Sequence, residues 1–220
     1  MISLENPTYS TVLHQAYFPL SRNSLPSFSA GEKEFIASHN TVKVALLEDD
    51  APFSKKESNG LLKGILPEYY QHLSEQTGIQ FELVPLKSKD AACTALSLGN
   101  VDLIGKFGNN IYDATRQNAI LTVPFLHMNL VQITRAGTNT VAKIAVPQCN
   151  LDLVNEAFSQ INSPVMFTSY VNSEQSFSAL KSGKVDAVVC TQPAATWLLN
   201  RNCSSNYVVS AFVNFDWSVS

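Results

Sequence analysis

Residues 99–125 read GNVDLIGKFGNNIYDATRQNAILTVPF, and they carry the clearest local evidence for both the fold and a site. The Gly99-Asn100 pair predicts the end of a helix, because glycine readily adopts the left-handed conformation that stops helices. A short apolar strand at 101–104 follows, and a polar loop at 106–115 leads to Arg116. Open α/β sheets bind ligands just beyond the carboxyl ends of their strands. The stretch therefore predicts either an anion-binding arginine or a solvated surface arginine.

Size and composition narrow the class of protein. The chain has 220 residues, enough for one large domain or two small lobes. The net charge is only -3 and no basic stripe is present, so nucleic acid is not an expected partner. No run approaches the ~18 apolar residues of a membrane span. The first ten residues lack the basic start and apolar run of a signal peptide, although an excised piece of a secreted or membrane-anchored protein would look the same.

The cysteines match no metal-binding pattern, and we expect no metal or cofactor. Cys93 falls in a helical run and is predicted to be buried. Cys149 and Cys190 each follow a predicted strand and could lie close together; the alternative is that all four cysteines, including Cys203, are free thiols.

Hydrophobic periodicity predicts two α/β units joined by an extended crossover at 128–134. The first unit has strands at 41–47, 80–85 and 101–104, with helices at 66–77 and 89–98. The second has strands at 141–146, 165–169, 185–190 and 207–213, with helices at 150–161, 173–182 and 192–200. Before them, a helix is predicted at 7–20, and a capping box at 29–32 predicts a short helix ending near His39. Two such units imply two lobes with a ligand-binding cleft between them.

Four segments in order resemble signatures of a known family. They are TVKVALLEDDAPFSKKESNGLLKGI (41–65), LSLGNVDLIGKF (96–107), TRQNAILTVPFL (115–126) and FSALKSGKVDAVVCTQPAATWLL (177–199). The ordered set is similar to the type II periplasmic, or extracellular, solute-binding proteins of family 3, in their amino-acid-binding branch. This resemblance implies an α/β fold with the two lobes of a Venus flytrap.

Two further segments resemble parts of bacterial membrane receptors. The sequence FSAGEKEFIASHNTVKVAL (28–46) is similar to the junction ahead of a binding domain in sensor histidine kinases, which implies an extracytoplasmic location and attached transmembrane signalling domains. The sequence ENPTYSTVLHQAYFPL (5–20) is similar to the element that closes lobe 1. It implies the tail of a preceding domain, or a closing element for this lobe or for a neighbouring copy, as in a homodimer.

The resemblance also implies a division of the chain and a set of ligand-binding residues. Residues 1–40 form the N-terminal helix and linker, 41–128 lobe 1, 129–213 lobe 2, and 214–220 a return toward lobe 1. In lobe 1 the implied ligand contacts are Arg116 as the carboxylate clamp, Lys106, Phe107 and Asn109 beside it, Asp50 at the aromatic cap position and Lys89 at the stacking position. In lobe 2 they are Cys149 and Asn150 at a helix N-terminus and Thr191 where an acid usually holds an amino group. Without that acid, the implied ligand is a small carboxylate or other anion that lacks an amine.

Other interpretations stay open beside this sensor hypothesis. The chain could be the solute-binding component of a transporter, a dehydratase-like enzyme or a ligand-free spacer that mediates dimerisation. The four histidines, His14, His39, His72 and His127, form no set with a nucleophile or a metal-ligand pattern, so we expect no catalysis. The carboxylates at 48–50 could be a cation site, but a solvated loop is the favoured interpretation. Phe53 is expected in the core rather than at the ligand.

Overall fold

The computed structural model describes residues 27–108, 110–159, 165–202 and 206–219. The predicted helix at 7–20, the predicted ligand contact Asn109 and the cysteine Cys203 lie outside these ranges. No helix that the structure describes is both long enough and apolar enough to cross a membrane.

Lobe 1 is built on a parallel sheet of three strands in the order β5-β1-β6. Its elements are α1 (Ala30–Ser38), β1 (Thr41–Leu47), β2 (Asp49–Asp50), β3 (Ser54–Lys56), β4 (Leu62–Lys63), α2 (Ile65–Thr77), β5 (Gln80–Leu86), α3 (Lys89–Ser97), β6 (Leu103–Ile104) and α4 (Ile111–Arg116). Strands β2, β3 and β4 form a separate small antiparallel sheet. We call its first two strands, with the turn between them, the β2–β3 hairpin.

Local signals fix the ends of these helices. The Ser29–Glu32 capping box is present at the start of α1, and Ser88 caps α3. Gly78 ends α2 in the left-handed conformation, as its position predicts. The loop predicted at 106–115 is wrong in its second half, because Asn110 accepts hydrogen bonds from the first turn of α4 and so starts a helix there.

Lobe 2 is built on a mixed sheet of five strands in the order β11-β7-β10-β8-β9. Its elements are β7 (Leu126–Arg135), β8 (Lys143–Pro147), a short 3-10 turn (Gln148–Asn150), α5 (Leu151–Ser159), β9 (Met166–Tyr170), α6 (Ser173–Lys181), β10 (Ala187–Thr191), α7 (Gln192–Asn202) and β11 (Tyr207–Val219). Strand β8 runs parallel to β9 and β10, whereas β7 is antiparallel to β10 and β11.

Strand β7 joins the lobes and also belongs to the lobe 2 sheet. The backbone of β11 runs back along it as far as Val219, which lies opposite Leu126 at the start of β7. The largest buried apolar cluster includes Val44 and Leu46 of β1, Met128 of β7 and Val146 of β8. The chain of buried contacts is thus continuous from one lobe to the other. The predicted boundaries at 128 and 213 stay predictions.

Candidate functional site

The candidate site lies between the carboxyl ends of the parallel strands of both lobes. In lobe 1, β1 leads to Asp50, β5 to Lys89 and β6 to Lys106, whereas in lobe 2, β8 leads to Cys149. These ends are where an open α/β sheet leaves loops and helix starts free to contact a ligand. The fold therefore gathers side chains that are far apart in the sequence.

A cavity of about 380 Å³ separates these ends, and both lobes contribute to its wall. This size is at the lower end of the range for small-molecule sites, which is about 300–1,000 Å³. Five of the nine predicted ligand contacts line it, namely Asp50, Lys89, Lys106, Phe107 and Cys149. These five positions lie in the cavity wall, and their contacts with a ligand stay predictions.

Asp50 and Lys106 form a buried ion pair in the wall of the cavity. Their side chains are only 5% and 10% exposed, and the ammonium group of Lys106 also lies 4.1 Å from the ring centroid of Phe53. Phe53 is itself a core residue, as expected. The solvated-loop interpretation of residues 48–50 is wrong for Asp50, because the β2–β3 hairpin turns this side chain inward toward Lys106.

Cys149 connects this ion pair to lobe 2. Its thiol donates a hydrogen bond to Asp50 Oδ1 at 3.4 Å. Burial, together with the nearby negative charge of Asp50, raises the pKa of the Cys149 thiol. The thiol is therefore protonated at neutral pH and acts as a hydrogen-bond donor rather than as a nucleophile.

The cysteines of the described ranges are free thiols. Cys93 and Cys190 lie in separate apolar clusters, and Cys149 lies at the cleft. The possible neighbourhood of Cys149 and Cys190 therefore produces no disulfide.

Lys89 forms a second polar link between the lobes at the cavity wall. Its Nζ lies 2.9 Å from Asp152 Oδ2 in α5 and 3.7 Å from Asp113 Oδ2 in α4. It also lies 5.0 Å from the ring centroid of Phe107. Burial disfavours the charged form of Lys89, but the hydrogen bond and charge of Asp152, with the charge of Asp113, outweigh burial and raise its pKa. Lys89 is thus a cation with two carboxylate partners.

Three predicted contacts do not line the cavity in the part of the chain that the structure describes. Arg116 ends α4 and is exposed. Asn150 is buried in the 3-10 turn just before α5. Thr191 is 1% exposed, and its Oγ1 has no hydrogen-bond partner among the described atoms. The ligand-binding roles of these residues, and of Asn109, stay predictions.

The sequence reasoning missed the acidic side of the cavity. Asp113, Asp152 and Glu156 all line it, and so does the exposed ring of Tyr112. Two of these acids have a recognisable local signal, because each lies in the first turn of a helix, where carboxylates are favoured. The sequence around these residues does not show that the N-terminal turns of both helices line the same cavity.

Within the described ranges, no group of three or more His, Cys, Asp or Glu side chains is arranged to hold a metal ion. The cavity wall includes charged side chains of both signs, among them those of Lys89, Asp113 and Asp152.

Comparisons with known proteins show which sequences and structures this chain resembles. The sequence model of the bacterial extracellular solute-binding proteins, family 3, matches residues 42–146. The virulence sensor protein BvgS of Bordetella pertussis is 26% identical over 184 residues, and the sensor protein EvgS of Escherichia coli K12 is 25% identical over 179 residues. These matches cover 80% and 77% of this chain but 14% of each relative.

Solved structures share the two-lobed architecture. The periplasmic VFT2 domain of Bordetella pertussis BvgS superposes with a TM-score of 0.70 at 22% identity, covering 88% of this chain and 84% of that domain. The holo form of ArgBP from T. maritima superposes with a TM-score of 0.64 at 18% identity, covering 84% and 83%. This chain is therefore similar in sequence to the bacterial extracellular solute-binding proteins of family 3 and to the BvgS and EvgS sensor proteins, and it has the two-lobed Venus flytrap fold.

Proposed function

We propose that this chain is an extracytoplasmic sensor domain that closes its two lobes on a small carboxylate-bearing ligand and signals to attached transmembrane domains. The observation that supports this function most directly is the cavity between the lobes, whose wall combines side chains from both. A ligand that contacts both walls stabilises the arrangement in which the lobes meet, and it thereby shifts the conformational equilibrium of the domain.

Lys89 is the cation best placed to receive a ligand carboxylate. Its side chain is 37% exposed and lies at the cavity wall, whereas the side chain of Lys106 is buried against Asp50. A carboxylate that binds Lys89 must compete with Asp152, whose own side chain is 70% exposed and readily rehydrated. The exchange of one carboxylate partner for another is therefore feasible without leaving a buried charge unpaired.

The charge of the cavity wall favours a ligand that also carries an amino group. The wall holds four carboxylates, of Asp50, Asp113, Asp152 and Glu156, and two ammonium groups, of Lys89 and Lys106, which leaves a balance of -2. A ligand with two negative charges would be repelled by this wall. The amine-free anion implied by Thr191 is thus the less favoured of two ligand classes, and a zwitterion with a carboxylate and an amino group is the more favoured one.

Sensor relatives support a signalling role over transport. BvgS and EvgS are named as sensor proteins, and this chain corresponds to 14% of either. The attached membrane domains, the extracytoplasmic location and the absence of catalysis are accordingly parts of the proposal.

The test is calorimetry and thermal denaturation of the 220-residue chain with matched ligand sets. Each set contains one small carboxylate, the corresponding α-amino acid and the corresponding amine. Saturation at about 100 times Kd is expected to stabilise the fold by about 2.7 kcal/mol. For a domain of this size, that stabilisation corresponds to a rise in Tm of about 6 °C.

Two variants locate the binding group. Lys89→Met is expected to weaken binding of the active ligand at least about tenfold, because it removes a charge-assisted contact. Lys63→Met is the matched loss of an exposed cation in lobe 1 outside the cavity wall and is expected to leave Kd unchanged, whereas Arg116→Ala tests the predicted carboxylate clamp directly. Failure of every set to stabilise the chain would overturn the proposed function, and a loss of binding in Arg116→Ala alone would move the carboxylate site to α4.

A further inference from the structure

The β2–β3 hairpin of lobe 1 touches the first turn of α6 in lobe 2 through two polar contacts. Asn172 Nδ2 donates a hydrogen bond to Asp49 Oδ2 at 2.6 Å, and Lys55 Nζ lies 2.9 Å from Glu174 Oε2. Asp49 and Lys55 are paired opposite each other in the hairpin. One cross-strand residue pair of the hairpin thus contacts the N-terminal turn of α6. We call these four side chains the hairpin latch.

Asn172 is suited to this contact because its amide has two roles. Its Oδ1 accepts the hydrogen bond of the Gln175 backbone N–H at 2.8 Å and so caps α6. With the oxygen held by the cap, the Nδ2 group points away from the helix and toward Asp49. A carboxylate at this position could supply the cap but not the donor. The lobe contact therefore depends on the amide nitrogen.

The two contacts of the latch differ in strength. The Asn172–Asp49 bond has an ionised acceptor, which makes it stronger than a neutral hydrogen bond. The Lys55–Glu174 pair has side chains that are 37% and 41% exposed, so water and salt weaken it. Lys55 is further held by Trp197 of α7, whose ring centroid lies 5.6 Å from the ammonium group.

The latch is separate from the cavity. Asp49, Lys55, Asn172 and Glu174 are not part of the cavity wall, although Asp49 is the direct neighbour of Asp50. A ligand in the cavity and the latch therefore stabilise the same lobe contact from different places. Two such contributions add in free energy, and each raises the fraction of molecules in which the lobes meet.

We propose that the hairpin latch sets the closure equilibrium on which the ligand acts, so that ligand affinity depends on Asn172 and Asp49 although neither residue touches the ligand. This inference concerns regulation of the cavity and rests on the proposed function. Because apparent affinity falls with the fraction of binding-competent molecules, a weakened latch raises the ligand's Kd and speeds lobe opening.

The experiment is a double-variant cycle read out by alkylation of Cys149 in the 220-residue chain. The thiol lies at the cleft and donates to Asp50, so opening exposes it and lowers the barrier to its ionisation. Peptide mass spectrometry follows Cys149 itself, apart from the other cysteines. Asn172→Asp keeps a capping oxygen, removes the donor and opposes the carboxylate of Asp49, so labelling is expected to accelerate about tenfold.

The D49N/N172D double variant restores the contact with reversed polarity, because the amide now donates from position 49. Its labelling rate is expected to return to within about threefold of the original rate. Asn59→Asp is the control for the added charge, because among the described contacts its side chain accepts from the Leu61 backbone N–H within lobe 1 and reaches no residue of lobe 2. Small-angle scattering on the same variants checks that the radius of gyration increases only in N172D.

The outcomes separate the latch from the proposed function. Equal labelling of the N172D and N59D variants, or no recovery in the double variant, overturns the latch. Recovery in the double variant supports it even where no ligand binds, and in that case only the proposed function fails. Where a ligand binds through Lys89, a Kd that is the same for N172D and the original chain overturns the coupling between latch and cavity.

Discussion

The buried pair of Asp50 and Lys106 gives the sharpest test of how the cleft is held together. Lys106→Met keeps most of the side-chain volume and removes the charge. It leaves the carboxylate of Asp50 buried, with the Cys149 thiol as its remaining partner in the described contacts. D50N/K106M removes both charges and keeps a polar group that can accept from the thiol.

The expected loss of stability in Lys106→Met follows from the burial of the ion pair. Removing one partner of a buried ion pair costs about 3–5 kcal/mol, because an uncompensated charge stays behind. With an unfolding entropy of about 2.1 cal/mol/K per residue, 220 residues lose roughly 2 °C in Tm per kcal/mol, so Lys106→Met should lower Tm by about 6–11 °C. The double variant leaves no buried charge and is expected to recover at least about half of this loss.

Urea denaturation followed by far-ultraviolet circular dichroism measures the free energy of unfolding of each variant, and calorimetry measures Tm. Lys63→Met is the matched control, since Lys63 pairs with Glu57 at 3.5 Å but is 66% exposed. It should cost less than about 1 kcal/mol. A Lys106→Met cost equal to that of Lys63→Met, or a double variant no more stable than Lys106→Met, would refute the reasoning.

Two further predictions concern stability away from the cavity. Gly64 has a φ of 133°, and an added Cβ would lie 2.5 Å from the carbonyl oxygen of Pro52, so Gly64→Ala should cost at least about 2 kcal/mol by urea denaturation. Gly60→Ala, at a φ of 85° with open space around it, should cost about half as much, and an equal cost would contradict the steric argument. The Asp186 carboxylate accepts the N–H groups of Ala142 and Lys143 at 3.0 and 2.9 Å, and these bonds lower its pKa. Its stabilising contribution is therefore present at neutral pH and fades as pH falls below the ordinary value of about 3.9 toward the lowered one. Denaturation of the original chain and of Asp186→Asn is compared from about pH 6 to pH 3. The difference between their free energies of unfolding should shrink as the pH falls, and a difference that grows would contradict this.

Local patterns predicted the helices and strands well. The capping box at Ser29, the stop at Gly78 and the alternation through 41–47 each act over a few residues, so their signals are complete in the sequence. The helix α4 was missed because it has only six residues and follows a polar segment, where periodicity carries little information. Its Asn110 cap was the available signal.

The cavity wall was only partly predictable. Resemblance to a family placed Asp50, Lys89 and Lys106 at strand ends, and the fold brings these ends to one wall. Arg116 was placed by the same reasoning and lies elsewhere, because α4 occupies the segment that was expected to be a loop. A single short helix turns its last residue away from the cavity.

The sequence by itself determined the order of strands and helices, the two α/β units and the strand ends at which a site would lie. Only the tertiary structure decided which charges neutralise each other there. Lys106 pairs with Asp50 across 56 positions of the chain, and Asn172 with Asp49 across 123. Helix and strand signals depend on neighbours within one or two turns, whereas an ion pair depends on where two distant loops point once their sheets have packed. That packing buries Thr191 and exposes Arg116. No local sequence pattern predicts how the two sheets pack.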